Sequence, residues 1–153
     1  KIIHPGTFNA NPMSAAAAGV CLRKCADKSV QDHCDAMALA LRVGMNSVLE
    51  RRGLPGCVWG DSSAFHIYLD STPANRTAGD LQIPEGISPE TLKASAKAGR
   101  SGPLSVAMEL EGVDLFGGGG LLSVRHTPED IEFTISAFDR SLDRLVEDGY
   151  FES

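Results

Sequence analysis

Apolar residues recur at three- and four-residue spacing between residues 28 and 52, which predicts a long amphipathic helix. Gly53 follows directly and Pro55 prevents the helix from resuming, so the predicted end lies at the glycine. A shorter helix precedes it, with Asn11 as N-cap and Pro12 at the first helical position, and runs through small residues to Cys25. The apolar positions of the long helix are Val30, Cys34, Met37, Leu41, Met45, Val48 and Leu49.

A period of two replaces the helical period after this point. Residues 57–60 (CVWG) and 64–70 (AFHIYLD) are predicted to be short strands, joined by the turn GDSS at 60–63. They lie too close in sequence for a parallel crossover, so they are expected to pair antiparallel. Residues 70–88 contain many turn formers and few apolar anchors, which predicts a long, mobile loop.

The C-terminal part of the chain is predicted to be mainly helical. Two short helices are expected near 89–98 and 103–111, followed by an extended stretch, a glycine run at 117–120 and a strand. With the final helix, the element order becomes α-α-β-β-α-α-β-α without an internal repeat. This order predicts an α+β domain.

The final helix has the most complete end signals. Thr127 is a predicted N-cap, Pro128 occupies the first helical position and Asp130 completes a pattern similar to a capping box. Gly149 is placed to end the helix. One apolar stripe is expected to be buried against the strands: Ile131, Ile135, Phe138, Leu142 and Leu145.

Composition narrows the possible partners. The 153 residues suffice for one domain with a core, and the net charge is −6. An acidic chain lacks the basic surface expected of a protein that binds nucleic acid or anionic membranes. The longest apolar run is far shorter than the roughly 20 residues of a membrane span. A cytoplasmic protein with no nucleic-acid or membrane partner is therefore expected.

The four cysteines do not indicate a metal centre. Cys21, Cys25, Cys34 and Cys57 lack the two-residue spacing of compact zinc sites. We expect reduced, mostly buried thiols and no metal.

The segment HPGTFNANP, residues 4–12, has features of an anion-binding loop. Gly6 and Thr7 precede a helix start at Asn11-Pro12, so backbone amides and one hydroxyl lie in a small space. Such donors suit a phosphate without requiring a cation. Many helix starts share these features, so the pattern alone is weak evidence.

Other chemical signals are weaker still. The glycine run at 117–120 lacks the Lys-Ser/Thr ending of a P-loop and precedes a strand, so it is interpreted as a flexible turn that lets the backbone approach another surface. His4, His66 and His126 do not combine with a serine or cysteine at any recognisable spacing.

The segment at 4–12, followed by a helix of small residues, resembles the class-III pyridoxal-phosphate-dependent aminotransferases. The similarity is greatest to the glutamate-1-semialdehyde 2,1-aminomutase-like subgroup. Residues 53–69 (GLPGCVWGDSSAFHIYL), 107–115 (AMELEGVDL) and 121–145 (LLSVRHTPEDIEFTISAFDRSLDRL) resemble later segments of that group in the same order. The resemblance therefore covers almost the whole chain.

This resemblance implies the C-terminal portion of a fold-type I enzyme. Residues 1–27 would end the large cofactor domain, and residues 28–153 would form the small α+β domain. The lysine that binds pyridoxal phosphate would lie upstream of the loop, and Lys1 is too close to Gly6 to be that lysine. Gly6 and Thr7 would contact the cofactor phosphate in the neighbouring subunit of a homodimer. Thr7 would donate its hydroxyl and backbone N–H, and Gly6 would permit close approach.

The implied activity is transfer of an amino group on a small amino or keto acid, with no catalytic residue in this chain. The aminomutases tend to carry an acidic residue in a Phe-Glu-Ala-Gly-Phe stretch, where this chain has Phe116 followed by four glycines. Aminomutase and transaminase activities are therefore equally open. The alternative from another class is a free-standing, non-catalytic protein-interaction domain.

Overall fold

The computed structural model describes residue 6 and residues 11–77, 79–95 and 99–151. Within these residues, the chain forms five helices and one sheet of three short strands, which confirms the predicted α+β class. The elements in chain order are α1 (Pro12–Cys25), α2 (Lys28–Arg52), β1 (Cys57–Trp59), β2 (Ala64–Tyr68), α3 (Pro89–Ser95), α4 (Ser101–Leu110), β3 (Gly119–Leu121) and α5 (Pro128–Glu147).

The two N-terminal helices begin and end where the sequence predicts. Asn11 caps α1, and its side chain accepts hydrogen bonds from the backbone amides of Met13 and Ser14. Gly53 ends α2 in a left-handed conformation (φ 65°) that costs glycine little, and its amide bonds to carbonyls of the last turn. Both end signals are local, because they depend only on neighbouring residues.

The strands form one antiparallel sheet in the order β1-β2-β3. The predicted pairing of the first two strands is confirmed, with Val58 opposite Ile67. The glycine run is not only a turn, because Gly119 and Gly120 form most of β3 and pair with β2. The strand therefore begins earlier than the sequence suggested, since pairing with β2 extends it into the glycines.

The main core lies between one face of the sheet and helices α2, α4 and α5. Phe65 and Ile67 of β2 point into it, and Asn46 of α2 bonds to both the amide (2.8 Å) and the carbonyl (2.7 Å) of Val58. Of the five α5 residues predicted to be buried, four are buried and Ile135 is half-buried. The largest fully buried side chains include Leu41, Met45, Leu49, Leu104, Met108, Phe138, Leu142 and Leu145.

The C-terminal helices are tied together by charge. Glu111, just past α4, accepts hydrogen bonds from Arg140 Nε (2.5 Å) and Arg144 (2.8 Å) of α5. These two arginines hold the pKa of the Glu111 carboxyl below its usual range. At the start of α5, Thr127 and Asp130 form the reciprocal pair of bonds that defines a capping box, as predicted.

The two shorter helices fit their predictions approximately. The N-terminal part of the predicted helix at 89–98 is confirmed as α3, and residues 96–98 lie outside the described residues. Helix α4 begins two residues earlier than predicted, because Pro103 is tolerated in the first turn, where its missing N–H would have no helical partner.

The described part of the segment 70–88 has no helix or strand, as predicted, but it is anchored to the domain. Leu81 is buried with Cys57 and Tyr68 in a second, smaller cluster. Arg76 donates to the carbonyl of Leu54 (2.8 Å), and Asp80 pairs with the buried Arg42 at 2.6 Å. Its mobility stays a prediction.

Candidate functional site

Of the N-terminal segment 4–12, the structure describes Gly6, Asn11 and Pro12. Gly6 is exposed, whereas Thr7 lies outside the described residues. The side chain of Asn11 accepts from the amides of Met13 (3.0 Å) and Ser14 (3.3 Å), and Pro12 has no N–H. These helix amides are therefore already paired. An anion at this loop would depend on donors that precede the helix.

Helix α1 itself is almost uncovered. None of its residues is buried, and Met13 and Leu22 are 83% and 69% exposed. A globular helix normally buries one side against another element. Helix α1 therefore has side chains free to contact a surface beyond the described part of the chain.

The glycine run adjoins a cavity of about 200 Å³ whose lining includes Phe116, Leu121 and His126. A β-carbon on Gly119 would lie 2.2 Å from the carbonyl oxygen of Phe65, and one on Gly120 would lie 2.6 Å from its ring. The predicted close backbone approach is confirmed, and the approached surface is strand β2 of the same domain.

The three described histidines take structural positions. His66 lies 4.8 Å from the ring of Trp59, and loss of hydration lowers its pKa. His126 Nδ1 accepts from the amide of Ser123 at 2.9 Å and also lies 3.2 Å from its hydroxyl. His33 Nε2 donates to the carbonyl of His126 at 2.8 Å.

The residue pattern alone did not indicate the Ser123–His126 pair, although a three-residue spacing is common in turns. Its histidine nitrogen is already occupied by a backbone amide, so the pair fixes the turn before α5 and does not activate the serine. His4 lies outside the described residues.

The cysteines divide into two kinds. Cys34 and Cys57 are buried, and burial raises the pKa of Cys57 to about 12. Cys21 and Cys25 are exposed on α1, so the expectation that most thiols are buried was wrong for these two, because α1 has no cover. In the described part of the chain, no three histidine, cysteine or acidic side chains are placed to hold a metal ion.

Comparison with known proteins identifies the relatives of this fold. No family model matches the chain. It is 30% identical over 150 residues to the glutamate-1-semialdehyde 2,1-aminomutase of Methanopyrus kandleri, covering 95% of this chain and 32% of that protein. It is 26% identical to the corresponding aminomutase of Natronomonas pharaonis, covering 92% of this chain and 35% of that protein.

Solved transaminase structures have a fold similar to that of this chain. An omega-transaminase from Sphaerobacter thermophilus superposes with a TM-score of 0.70 at 27% identity, covering 93% of this chain and 30% of that one. The chain is similar to glutamate-1-semialdehyde 2,1-aminomutases and to an omega-transaminase. A transaminase with pyridoxal phosphate bound shares the fold, with a TM-score of 0.72 at 23% identity. The chain spans about a third of the length of these relatives.

The described residues do not form a complete site for this cofactor. Lys24, Lys28 and Lys93, the lysines among them, are all exposed, and Lys28 is paired with Asp32 at 2.6 Å. A lysine that holds pyridoxal phosphate needs a pocket that excludes water. The described residues therefore do not fit the reactive part of the site.

In the described part of the chain, no helix is long and apolar enough to cross a membrane.

Proposed function

We propose that this chain is the C-terminal part of a class-III pyridoxal-phosphate-dependent enzyme that moves an amino group on a small amino or keto acid. The observation that carries the proposal is the similarity of nearly the whole chain to about a third of an aminomutase. The same fold in an omega-transaminase supports it. We further propose that the complete enzyme is a cytoplasmic homodimer.

The exposure of α1 supports the division of the chain into two parts. We propose that residues 1–27 complete the large cofactor domain, and that residues 28–153 form the small domain. Helix α2 contributes a row of buried residues to the small-domain core, whereas α1 contributes none. The exposed apolar side chains Met13 and Val20 would be covered by the cofactor domain.

Gly6 and Thr7 are proposed to contact the cofactor phosphate of the neighbouring subunit. The pairing of the first α1 amides with Asn11 supports this assignment, because it leaves the residues before the helix as donors. Gly6 lacks a side chain that would keep a phosphate away from the backbone. A threonine hydroxyl bonded to a phosphate dianion is a charge-assisted contact worth about 1.5–3 kcal/mol.

The activity is tested on the complete enzyme. Purified protein should contain pyridoxal phosphate. It should either move the amino group of glutamate 1-semialdehyde from carbon 2 to carbon 1 of the same molecule or transfer an amino group from a small amine to a keto acid. The first reaction is that of an aminomutase and the second that of a transaminase. A complete protein with neither bound cofactor nor transfer would contradict the proposal and favour the non-catalytic interaction domain.

The phosphate contact is tested by Thr7→Ala. Loss of about 1.5–3 kcal/mol should weaken cofactor retention by roughly 10- to 100-fold, measured as bound cofactor after dialysis. Thr7→Ser keeps the hydroxyl and should lose much less. Equal losses in the two variants would show that the hydroxyl does not bind the phosphate.

A mixed dimer tests whether the contact crosses the subunits. Thr7→Ala chains are paired, through two affinity tags, with chains that lack the cofactor lysine but retain Thr7. The one lysine-bearing site then lies in the Thr7→Ala subunit and receives Thr7 from its partner, so it should retain cofactor normally. If that site loses cofactor as readily as the Thr7→Ala homodimer does, the loop serves its own subunit.

A further inference from the structure

The turn before β3 presents an aromatic side chain to solvent. The amide of Phe116 donates to the carbonyl of Gly119 at 3.0 Å, and the amide of Gly119 donates to the carbonyl of Phe116 at 3.3 Å. Gly117 and Gly118 lie between them with positive φ (62° and 81°), as in tight two-residue turns that favour glycine. The turn fixes the backbone of Phe116, whose side chain is 85% exposed. An aromatic residue held in this way is suited to anchor a contact with another surface.

Phe116 lies at the rim of a mostly apolar cavity. Together with Leu121, which is 69% exposed, it lines the cavity of about 200 Å³ beside the glycine run. The buried core residues Leu41, Phe65 and Ile131 line the same cavity. The cavity therefore reaches from the surface to the main core, and an apolar side chain would fill it. We call Phe116, Leu121 and this cavity the hairpin patch. Contiguous exposed apolar surface of this kind marks a contact site.

The hairpin patch lies next to the first turns of α2. His126 also lines the cavity, and its carbonyl accepts a hydrogen bond from His33 Nε2 at 2.8 Å. His33 lies in the second turn of α2, which begins at Lys28. The proposed boundary between the two domains also lies at Lys28. The patch is therefore beside the point where the chain passes from the cofactor domain into the small domain.

We propose that the hairpin patch is the surface on which the small domain docks against the cofactor domain of the same chain, with Phe116 as the anchor. The inference rests on the proposed function. About two thirds of each related aminomutase lies outside the region that this chain matches, so a complete enzyme has enough chain to cover the patch. Helix α1 is proposed to belong to the cofactor domain and leads directly into α2, which places that domain at this end of the small domain. An apolar side chain of the cofactor domain would then occupy the cavity.

Hydroxyl-radical footprinting, which measures the solvent exposure of side chains, tests the docking. It is applied to the complete enzyme and to the 153-residue chain. Oxidation of Phe116 and Leu121 should be about tenfold lower in the complete enzyme, because the core of an interface excludes water. Equal oxidation in the two proteins would overturn the proposal. Protection that grows with the concentration of the 153-residue chain would also overturn it, since a second copy of the chain would then cover the patch.

Two matched variants of the complete enzyme test the anchor. Phe116→Ser should raise the oxidation of Leu121 by about threefold or more, because loss of an anchor weakens the contacts around it. Leu110→Ser is the control, since Leu110 is 68% exposed on α4 and lines a different cavity. It should leave Leu121 protected, and an equal effect of the two variants would overturn the role of Phe116. A lower urea midpoint for Phe116→Ser in the 153-residue chain would show that the ring packs within the small domain, and would overturn the docking.

The footprint is read independently of catalysis. A complete enzyme that binds pyridoxal phosphate and transfers an amino group, but whose patch is oxidised as fully as in the 153-residue chain, would refute the docking and leave the proposed function standing. A complete protein with a protected patch but neither cofactor nor activity would contradict the proposed function and support the docking.

Discussion

Phe138 provides the sharpest test of the packing, because it is fully buried at the centre of α5. Helix α5 lies against α2 and α4, so the ring fills space that three helices share. Phe138→Ala should lower the free energy of unfolding by about 3–5 kcal/mol. A loss of this size is a large fraction of the total stability of a small domain.

The magnitude follows from two contributions. Burying a phenylalanine side chain contributes about 1.5–3 kcal/mol. The rest comes from the cavity that alanine leaves, because helices fixed on several sides cannot collapse fully into it. Phe133 lies on the same helix but is 51% exposed. Phe133→Ala should therefore cost about 1 kcal/mol, since only half of the transfer contribution is lost and no cavity forms.

Urea unfolding of the wild-type chain and of both variants, monitored by circular dichroism, measures these free energies. The dependence on urea concentration should stay unchanged, so that a shift in midpoint reports stability alone. A loss below about 1 kcal/mol for Phe138→Ala, or equal losses for the two variants, would refute the packing of α5 described above.

Two further predictions use the same assay. Gly119→Ala should cost about 1–3 kcal/mol, because its β-carbon would meet the backbone of Phe65, whereas Gly79→Ala has open space and should change stability by less than about 0.5 kcal/mol. Similar effects would show that the close approach of β3 to β2 is not required. Because its folded-state pKa is lowered, Glu111 stabilises the fold above its unfolded pKa of about 4.3, and this contribution is lost as the pH falls toward the folded-state pKa. Glu111→Gln should reduce the acid-induced shift of the urea midpoint between about pH 5 and 3, and an unchanged shift would contradict the assignment.

The sequence predicted only part of the candidate site. The resemblance at residues 4–12 pointed to the relatives that the comparisons show. Local rules also placed the cap at Asn11. The bonds from the amides of Met13 and Ser14 to the Asn11 side chain are those that the N-cap rule requires. Local rules could not reveal that Cys21 and Cys25 are exposed, since exposure depends on what else packs on the helix.

The sequence by itself determined the elements whose signals are local. The ends of α2 and α5 follow from Gly53 and from the Thr127–Asp130 capping box, which act through bonds within a few residues. The antiparallel pairing of β1 and β2 follows from a connection too short for any other arrangement.

Tertiary structure decided what depends on contacts between distant residues. Gly119 and Gly120 are strand residues only because β2 pairs with them. Ile135 shares the apolar stripe of α5 but is only half-buried, because burial depends on the neighbouring helix as well as on periodicity. The segment 70–88 is anchored by Leu81 and by the Arg42–Asp80 pair, whose partners lie far apart in sequence. Hydrophobic periodicity states which side of an element is apolar, and only packing states what covers it.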